Sequence, residues 1–177
     1  MTAPTLEQRA AAIRLLGLDV DGTLTDGRLW FGAEGEVFKG FHVQDGLGLK
    51  LLAQAGIEVM WITARQSRIV AARAADLGIA EVVQASRSKR VDLLDIAARR
   101  GLTPEQLAFM GDDLHDLPAF GTVGLAVAPA NAHPWILEHV HWQTTRAGGE
   151  GAVRELCDLL LTAQGHRTAI IDGFLAK

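Results

Sequence analysis

Short apolar runs alternate along this chain with stretches in which apolar residues recur every three or four positions. Residues 15–20 (LLGLDV), 57–62 (IEVMWI), 80–83, 107–110 (LAFM) and 123–127 are brief and nearly continuously apolar, the pattern of parallel strands covered on both faces. The segments between them have helical spacing. Ile69, Val70, Ala74 and Leu77 share one face of a helix over 66–77, and a helix from Lys89 to Arg100 is stopped by Gly101. Residues 151–163 give the clearest helix, with Val153, Leu156, Cys157 and Leu160 at i, i+3, i+4 and i+7 and Arg154, Glu155 and Asp158 turned away. Asp45 is expected to cap a helix that carries Leu47, Leu51 and Leu52, runs through Ala55 and ends at Gly56. Thr5 with Gln8 caps a short helix over 5–12, and Thr103, Pro104 and Gln106 make a second cap before the strand at 107. A proline-interrupted helix is expected around 135–139, while 165–177 has no strong pattern.

The period changes over 28–41, where Leu29, Phe31, Val37 and Phe38 flank the turn-like GAEGE, which predicts a β-hairpin. Strands alternating with helices make an α/β, doubly wound, Rossmann-like parallel sheet with right-handed crossovers. A single domain over 1–177 follows, with its core at about 13–165, the hairpin as its only insertion, no second domain and a tail over 166–177.

At 177 residues the chain is long enough for one well-buried domain and short for two. Its 49% hydrophobic and 21% charged residues are ordinary for a globular protein, and a net charge of −4 leaves no broad basic surface for nucleic acid. No apolar stretch reaches the ~20 residues of a membrane helix, and no signal-peptide pattern opens the chain. Cys157 is the one cysteine and lies on an apolar helix face, so it reads as core, and the usage suits a reducing cytoplasm.

Candidate chemistry starts at the end of the first strand. LLGLDVDGTLTD delivers Asp19 and Asp21 two positions apart, followed by Gly22, at the carboxyl end where open α/β sheets bind ligands. If the chain bends after Asp19, both carboxylates reach one substrate from different angles, one to attack and one to move protons. Thr63, Lys89 and Asp112 with Asp113 sit at or just beyond later strand ends. Taken singly, Thr63 is a helix cap, Lys89 a solvated residue and GDD a turn. The order D-x-D-G, Thr, Lys, G-D-D at successive strand ends sets them apart. His42, His115, His133, His139, His141 and His166 lack the paired spacing of a zinc site, and no G-x-x-x-x-G-K-[ST] or G-x-G-x-x-G loop is present.

DVDGT resembles the first signature of the haloacid dehalogenase superfamily. The longer DVDGTLTDG, with FHVQDGLGL, ITAR, GDDLHDLP and GGEGAVRE, is similar to the 3-deoxy-D-manno-octulosonate 8-phosphate phosphatase family, over roughly 13–165. The resemblance implies a capless haloacid dehalogenase-type fold and hydrolysis of that sugar phosphate in lipopolysaccharide precursor synthesis in the cytoplasm. Asp19 would attack phosphorus and form an aspartyl phosphate. Asp21 would protonate the leaving oxygen and then take a proton from water. Two carboxylates facing a phosphate dianion require a cation. Mg²⁺ would be held by Asp19, Asp112 and the backbone carbonyl of Asp21, as the resemblance implies. Asp113 and Asp116 would hold Asp112, Lys89 or water behind it, with Thr63 and Lys89 on the phosphate.

Arg65 fits the Arg that follows the second-strand Thr in this family and suits the substrate carboxylate. The related 2-keto-3-deoxynononate 9-phosphate phosphatases, the alternative substrate class, carry Glu there. Gln44 stands where members often have Arg, and Ala64 where Gly is frequent. The hairpin is too short to enclose a sugar phosphate alone, and the resemblance implies a homotetramer in which a neighbour's hairpin closes each site. Receiver domains of signalling proteins, a non-enzymatic alternative, also gather Asp, Thr and Lys around Mg²⁺. In them the acidic pair comes first and the Lys last, whereas here Lys89 precedes Asp112 and Asp113.

Overall fold

The structure is a computed structural model and describes residues 3–176. A six-stranded parallel sheet has the order β5-β4-β1-β6-β7-β8. Its strands are β1 (Leu15–Leu18), β4 (Glu58–Ile62), β5 (Glu81–Val83), β6 (Leu107–Met110), β7 (Leu125–Ala128) and β8 (Trp142–Gln143). A separate antiparallel hairpin pairs β2 (Trp30–Gly32) with β3 (Gly35–Phe38), with Trp30 stacked on Phe38 at 4.8 Å. The helices are α1 (Leu6–Ala12), α2 (Val43–Gln54), α3 (Arg68–Leu77), α4 (Lys89–Arg99), the single turn α5 (Leu117–Phe120), α6 (Ala152–Ala163) and α7 (Arg167–Leu175).

Every residue of β1, β6 and β7 is buried, as continuous apolar runs require when both faces of a parallel sheet are covered. Leu16, Leu18, Leu49, Leu52, Leu156 and Leu160 pack on one face; Leu15, Leu93, Ile96, Phe109 and Phe120 fill the other. The chain goes from β1 to β4 on one side and later returns to β6 on the other. The crevice beyond β1 and β6 is therefore the switch point at which such sheets bind ligands.

Caps read from the sequence hold at Thr5, whose hydroxyl and Gln8 bond reciprocally across the first turn of α1, and at Thr103 with Gln106. Asp45 differs. It does not cap α2, which starts at Val43; it lies buried in the first turn, and its Oδ1 accepts the backbone N–H of Arg154 at 2.7 Å. Gly151, the N-cap of α6, has no side chain to offer, so a neighbouring helix supplies the missing acceptor.

Residues 134–139 form a 3₁₀ helix, not an α-helix, behind Pro134. β7 begins at Leu125, two residues later than expected, and β8 was not foreseen because two residues carry no period. The patternless tail folds into α7, whose Ile171, Phe174 and Leu175 remain exposed. Among the described residues no helix is long and apolar enough to cross a membrane.

Candidate active site

Register brings the two acidic loops together. Leu18 pairs with Met110 across β1 and β6, and the backbone N–H of Asp19 donates to the Met110 carbonyl at 2.9 Å. The strands thus end side by side, one delivering Asp19 and the other Gly111 and Asp112. After Asp19 the chain coils tightly, with the N–H groups of Thr23, Leu24 and Thr25 all directed at the Val20 carbonyl, which swings Asp21 across the crevice.

Gly22 makes this approach possible. Its φ is +90°, and a Cβ there would lie 2.0 Å from Oδ2 of Asp112. The GGEG segment closes the loop from behind: the N–H of Gly149 donates to the Thr23 carbonyl at 3.1 Å and that of Gly148 to Oδ1 of Asn131 at 2.8 Å.

Asp19, Asp21, Thr63, Arg65, Lys89, Asp112, Asp113 and Asp116 all line one cleft of about 270 Å³. A larger cleft of about 570 Å³ lies between α2 and the C-terminal helix, but among the described residues that line it there is no carboxylate side chain. Donor chemistry, not size, singles out the smaller one. Thr63 follows β4 and is buried, and its Oγ1 accepts the N–H of Arg65 at 3.2 Å, which leaves the hydroxyl hydrogen free to point into the cleft. Ser67, not Thr63, caps α3.

Lys89 is the first residue of α4. Its buried ammonium reaches Oδ1 of Asp19 at 2.8 Å and Oδ1 of Asp116 at 2.6 Å. Asp116 is wholly buried, and its other oxygen accepts the N–H groups of Asp112 at 2.9 Å and Asp113 at 3.1 Å. It locks the β6 loop to Lys89. Asp113, expected beside it behind the metal, lies exposed at the rim of the cleft and caps the next turn by accepting the N–H of Leu114 at 2.7 Å. Asp113 and Asp116 are three residues apart in a tight turn, so only one points inward.

Ligand atoms of Asp19, Asp112 and Asp116 lie within 4.8 Å of one another. Burial and then the Asp116 charge push the Asp19 carboxyl up to about 6, against the pull of Lys89. Burial, then the charges of Asp19 and Asp116, push Asp112 up to about 8. The Lys89 ammonium loses hydration by burial, yet Asp116 and Asp19 hold it above the usual lysine range. Three crowded carboxylates against one ammonium lack positive charge, so an oxygen-preferring dication fits this donor set.

The folded, metal-free chain therefore keeps protons on Asp19 and Asp112 that the unfolded chain releases. Folded values above unfolded ones mean that stability falls as pH rises from the ordinary carboxylate range toward about 8. A dication replaces those protons. Mg²⁺ is expected to raise the melting temperature clearly more at pH 8 than at pH 5, read by thermal denaturation. Equal shifts at both pH values would remove these carboxyls from the metal site.

Two residues at the cleft were not singled out from sequence. His115 lines it beside Asp116, and nothing in its spacing marked it. Lys39, at the foot of the hairpin, forms an ion pair with Asp21 and a second with Glu36 at 2.8 Å. Arg65 reaches toward Asp21, with Nε 3.9 Å from Oδ2, and its guanidinium lies 5.6 Å from the centre of the Phe31 ring. The hairpin thus packs at the rim of its own chain's site, while Leu29, Trp30, Phe31, Val37 and Phe38 stay exposed.

The sequence pattern of haloacid dehalogenase-like hydrolases matches residues 61–156. The 3-deoxy-D-manno-octulosonate 8-phosphate phosphatase of Salmonella typhimurium is 45% identical over 163 residues, 92% of this chain and 87% of that protein. Among solved structures, a hypothetical protein from Xanthomonas campestris superposes with a TM-score of 0.93 at 53% identity, covering 96% of this chain and 92% of the other. The 3-deoxy-D-manno-octulosonate 8-phosphate phosphatase of Moraxella catarrhalis, solved with magnesium, phosphate and KDO, gives 0.92 at 40% identity, covering 95% and 97%.

Proposed function

This chain belongs to the 3-deoxy-D-manno-octulosonate 8-phosphate phosphatases among the haloacid dehalogenase-like hydrolases, and on that premise we propose how its residues divide the reaction. It hydrolyses the 8-phosphate ester to the free sugar acid and phosphate with Mg²⁺ as cofactor, in lipopolysaccharide precursor synthesis. The observation that carries the division of roles is the convergence of nucleophile, acid, cations and metal donors on one small cleft.

Asp19 uses a carboxylate oxygen to form a bond to phosphorus as the bond to the sugar oxygen breaks. Asp21 gives its proton to that leaving oxygen. In the second half a water attacks phosphorus, its proton passes to Asp21, and the Asp19–phosphorus bond breaks. Lys89 holds Asp19 in line and offers charge to the phosphoryl oxygens, and Thr63 donates its hydroxyl to them. When bound, Mg²⁺ would be held by Asp19, Asp112 and the backbone carbonyl of Asp21 and would supply the remaining positive charge. Asp116 acts behind these groups through Lys89 and the β6 loop. Asp113 shapes the turn beside them.

The octulosonate differs from simple phosphate esters by its carboxylate, and Arg65 at the open side of the cleft, its side chain 40% exposed, is the cation proposed to read it. Measuring kcat/KM over a panel of sugar phosphates, with Arg65→Ala alongside the unaltered chain, tests both claims. The octulosonate ester is expected to be preferred, and Arg65→Ala to cost it about tenfold or more relative to p-nitrophenyl phosphate, the scale of a lost charged contact. A preference for the nononate ester or for neutral hexose phosphates would overturn the substrate assignment. The exposed apolar hairpin further supports a homotetramer in which a second copy's hairpin closes each site. Light scattering of the same sample reads this, and a fully active monomer would sink it.

A further inference from the structure

Residues 29–38 of the hairpin are exposed or half-buried, yet Lys39 at its foot is only 7% exposed. A lysine is seldom buried unless its charge is matched on the spot. Here the ammonium is shared by Oδ1 of Asp21 and by Glu36 at 2.8 Å. The other oxygen of Glu36 accepts the hydroxyl hydrogen of Ser67, the N-cap of α3. A continuous chain of polar contacts thus runs from Asp21 through Lys39 and Glu36 to a helix terminus. Oδ2 of Asp21 is left toward the cleft, 3.9 Å from Arg65 and beyond hydrogen-bond reach of it.

We propose that Lys39 is a positioning residue that occupies Oδ1 of Asp21, so that Oδ2 alone faces the substrate and exchanges the proton. This rests on the reading of Asp21 as the acid for the leaving oxygen. A carboxyl at the end of a strand loop has two oxygens and a free rotor, and proton transfer needs one of them aimed within hydrogen-bond distance. Lys39 fixes the rotor from one side. Glu36 offsets the lysine charge, so the clamp orients Asp21 without placing an unshared cation beside it. The hairpin therefore serves the chemistry of its own chain through its foot, apart from anything its exposed strands cover.

The test uses the full chain with Mg²⁺ and two esters without a carboxylate, phenyl phosphate and p-nitrophenyl phosphate. Phenolate is the poorer leaving group and needs the proton more. Rapid-quench measurement of phosphoenzyme formation isolates the step in which the leaving oxygen is protonated. Lys39→Met is expected to slow this step about tenfold more for phenyl phosphate than for p-nitrophenyl phosphate, a fraction of what general acid catalysis provides. Asp21→Asn is expected to show the same bias more strongly, the double variant to be no slower than Asp21→Asn, and Lys39→Arg to recover part of the loss.

Equal losses on both esters would overturn the proposal and leave Lys39 as an anchor for the hairpin. So would an additive double variant, or an effect confined to KM for the octulosonate ester, which would make Lys39 a reader of its carboxylate. Should Lys39→Met fail to fold, Lys39→Gln, with a polar end in the same space, carries the same comparison. An Asp21→Asn variant without leaving-group bias would instead overturn the acid assignment itself. Bias in Asp21→Asn with none at Lys39 would sink this inference alone.

Discussion

Asp19→Asn is expected to abolish turnover, with phosphate release no faster than in the absence of enzyme. An amide oxygen is a poor nucleophile, and among the described residues no other carboxylate combines a contact to Lys89 with a place at the end of β1. Oδ1 of Asp19 is fixed by Lys89 at 2.8 Å while its backbone is pinned to Met110 at 2.9 Å. Asp112 lies across the acidic cluster, in contact with Gly22, where a Cβ would not fit. The contrast with Asp21→Asn makes the experiment specific. That variant keeps the nucleophile, so substrate still binds while the rate falls by roughly 10² or more, the scale of acid–base catalysis. Steady-state phosphate release by purified variants, with circular dichroism to verify folding, separates the two. Near-normal turnover by either folded variant would refute its role.

Asp116→Ala is expected to damage both stability and catalysis, although Asp116 touches neither phosphorus nor the leaving group in the roles assigned above. The side chain is wholly buried and joins one ammonium to two backbone N–H groups. Its removal leaves Lys89 buried with Asp19 as its one remaining ion-pair partner among the described residues and strands the N–H groups of Asp112 and Asp113. Deleting one partner of a buried ion pair costs up to about 3–5 kcal/mol, offset in part here because Asp19 and Asp112 are relieved of the Asp116 charge. The freed β6 loop also misplaces Asp112, and small displacements of reacting groups can cost about 10²-fold in rate. Urea denaturation should show a lower midpoint with an unchanged slope, and kcat/KM should fall alongside it. Asp116→Asn, which keeps an acceptor for the two N–H groups, should recover part of the stability and less of the activity. A variant of normal stability and normal kcat would remove Asp116 from the support of the site.

The sheet and the main polar groups of the cleft were legible because their signals are local. LLGL, EVMWI and LAFM are apolar runs of strand length, and each is followed within a few residues by Asp19, Thr63 or Asp112. In a parallel sheet all strands end on the same side, so residues that follow strand ends are gathered without any knowledge of packing. The helix signals at Thr5, Gly101 and 151–163 work in the same way, each needing only its own turn. Cys157 was legible too: it falls on the apolar stripe of α6 and is buried.

Contacts between distant residues were decided elsewhere. Asp45 reads as the cap of its own helix, yet it serves α6 more than a hundred positions later, because Gly151 leaves a donor that only a packed neighbour can satisfy. Asp113 and Asp116 look equivalent in GDDLHD, and the direction of one tight turn sends Asp116 into the core and Asp113 to the surface. Lys39 resembles any lysine at a hairpin edge until the hairpin folds down against Asp21. Period, caps and strand ends are properties of neighbours along the chain, and they were enough for the layered α/β fold, for the Asp19 and Asp21 carboxylates at one strand end and for the kind of chemistry. The tertiary structure alone decided which charges meet, which of two carboxylates is buried and which lysine reaches the acid, since those depend on distances that no local pattern encodes.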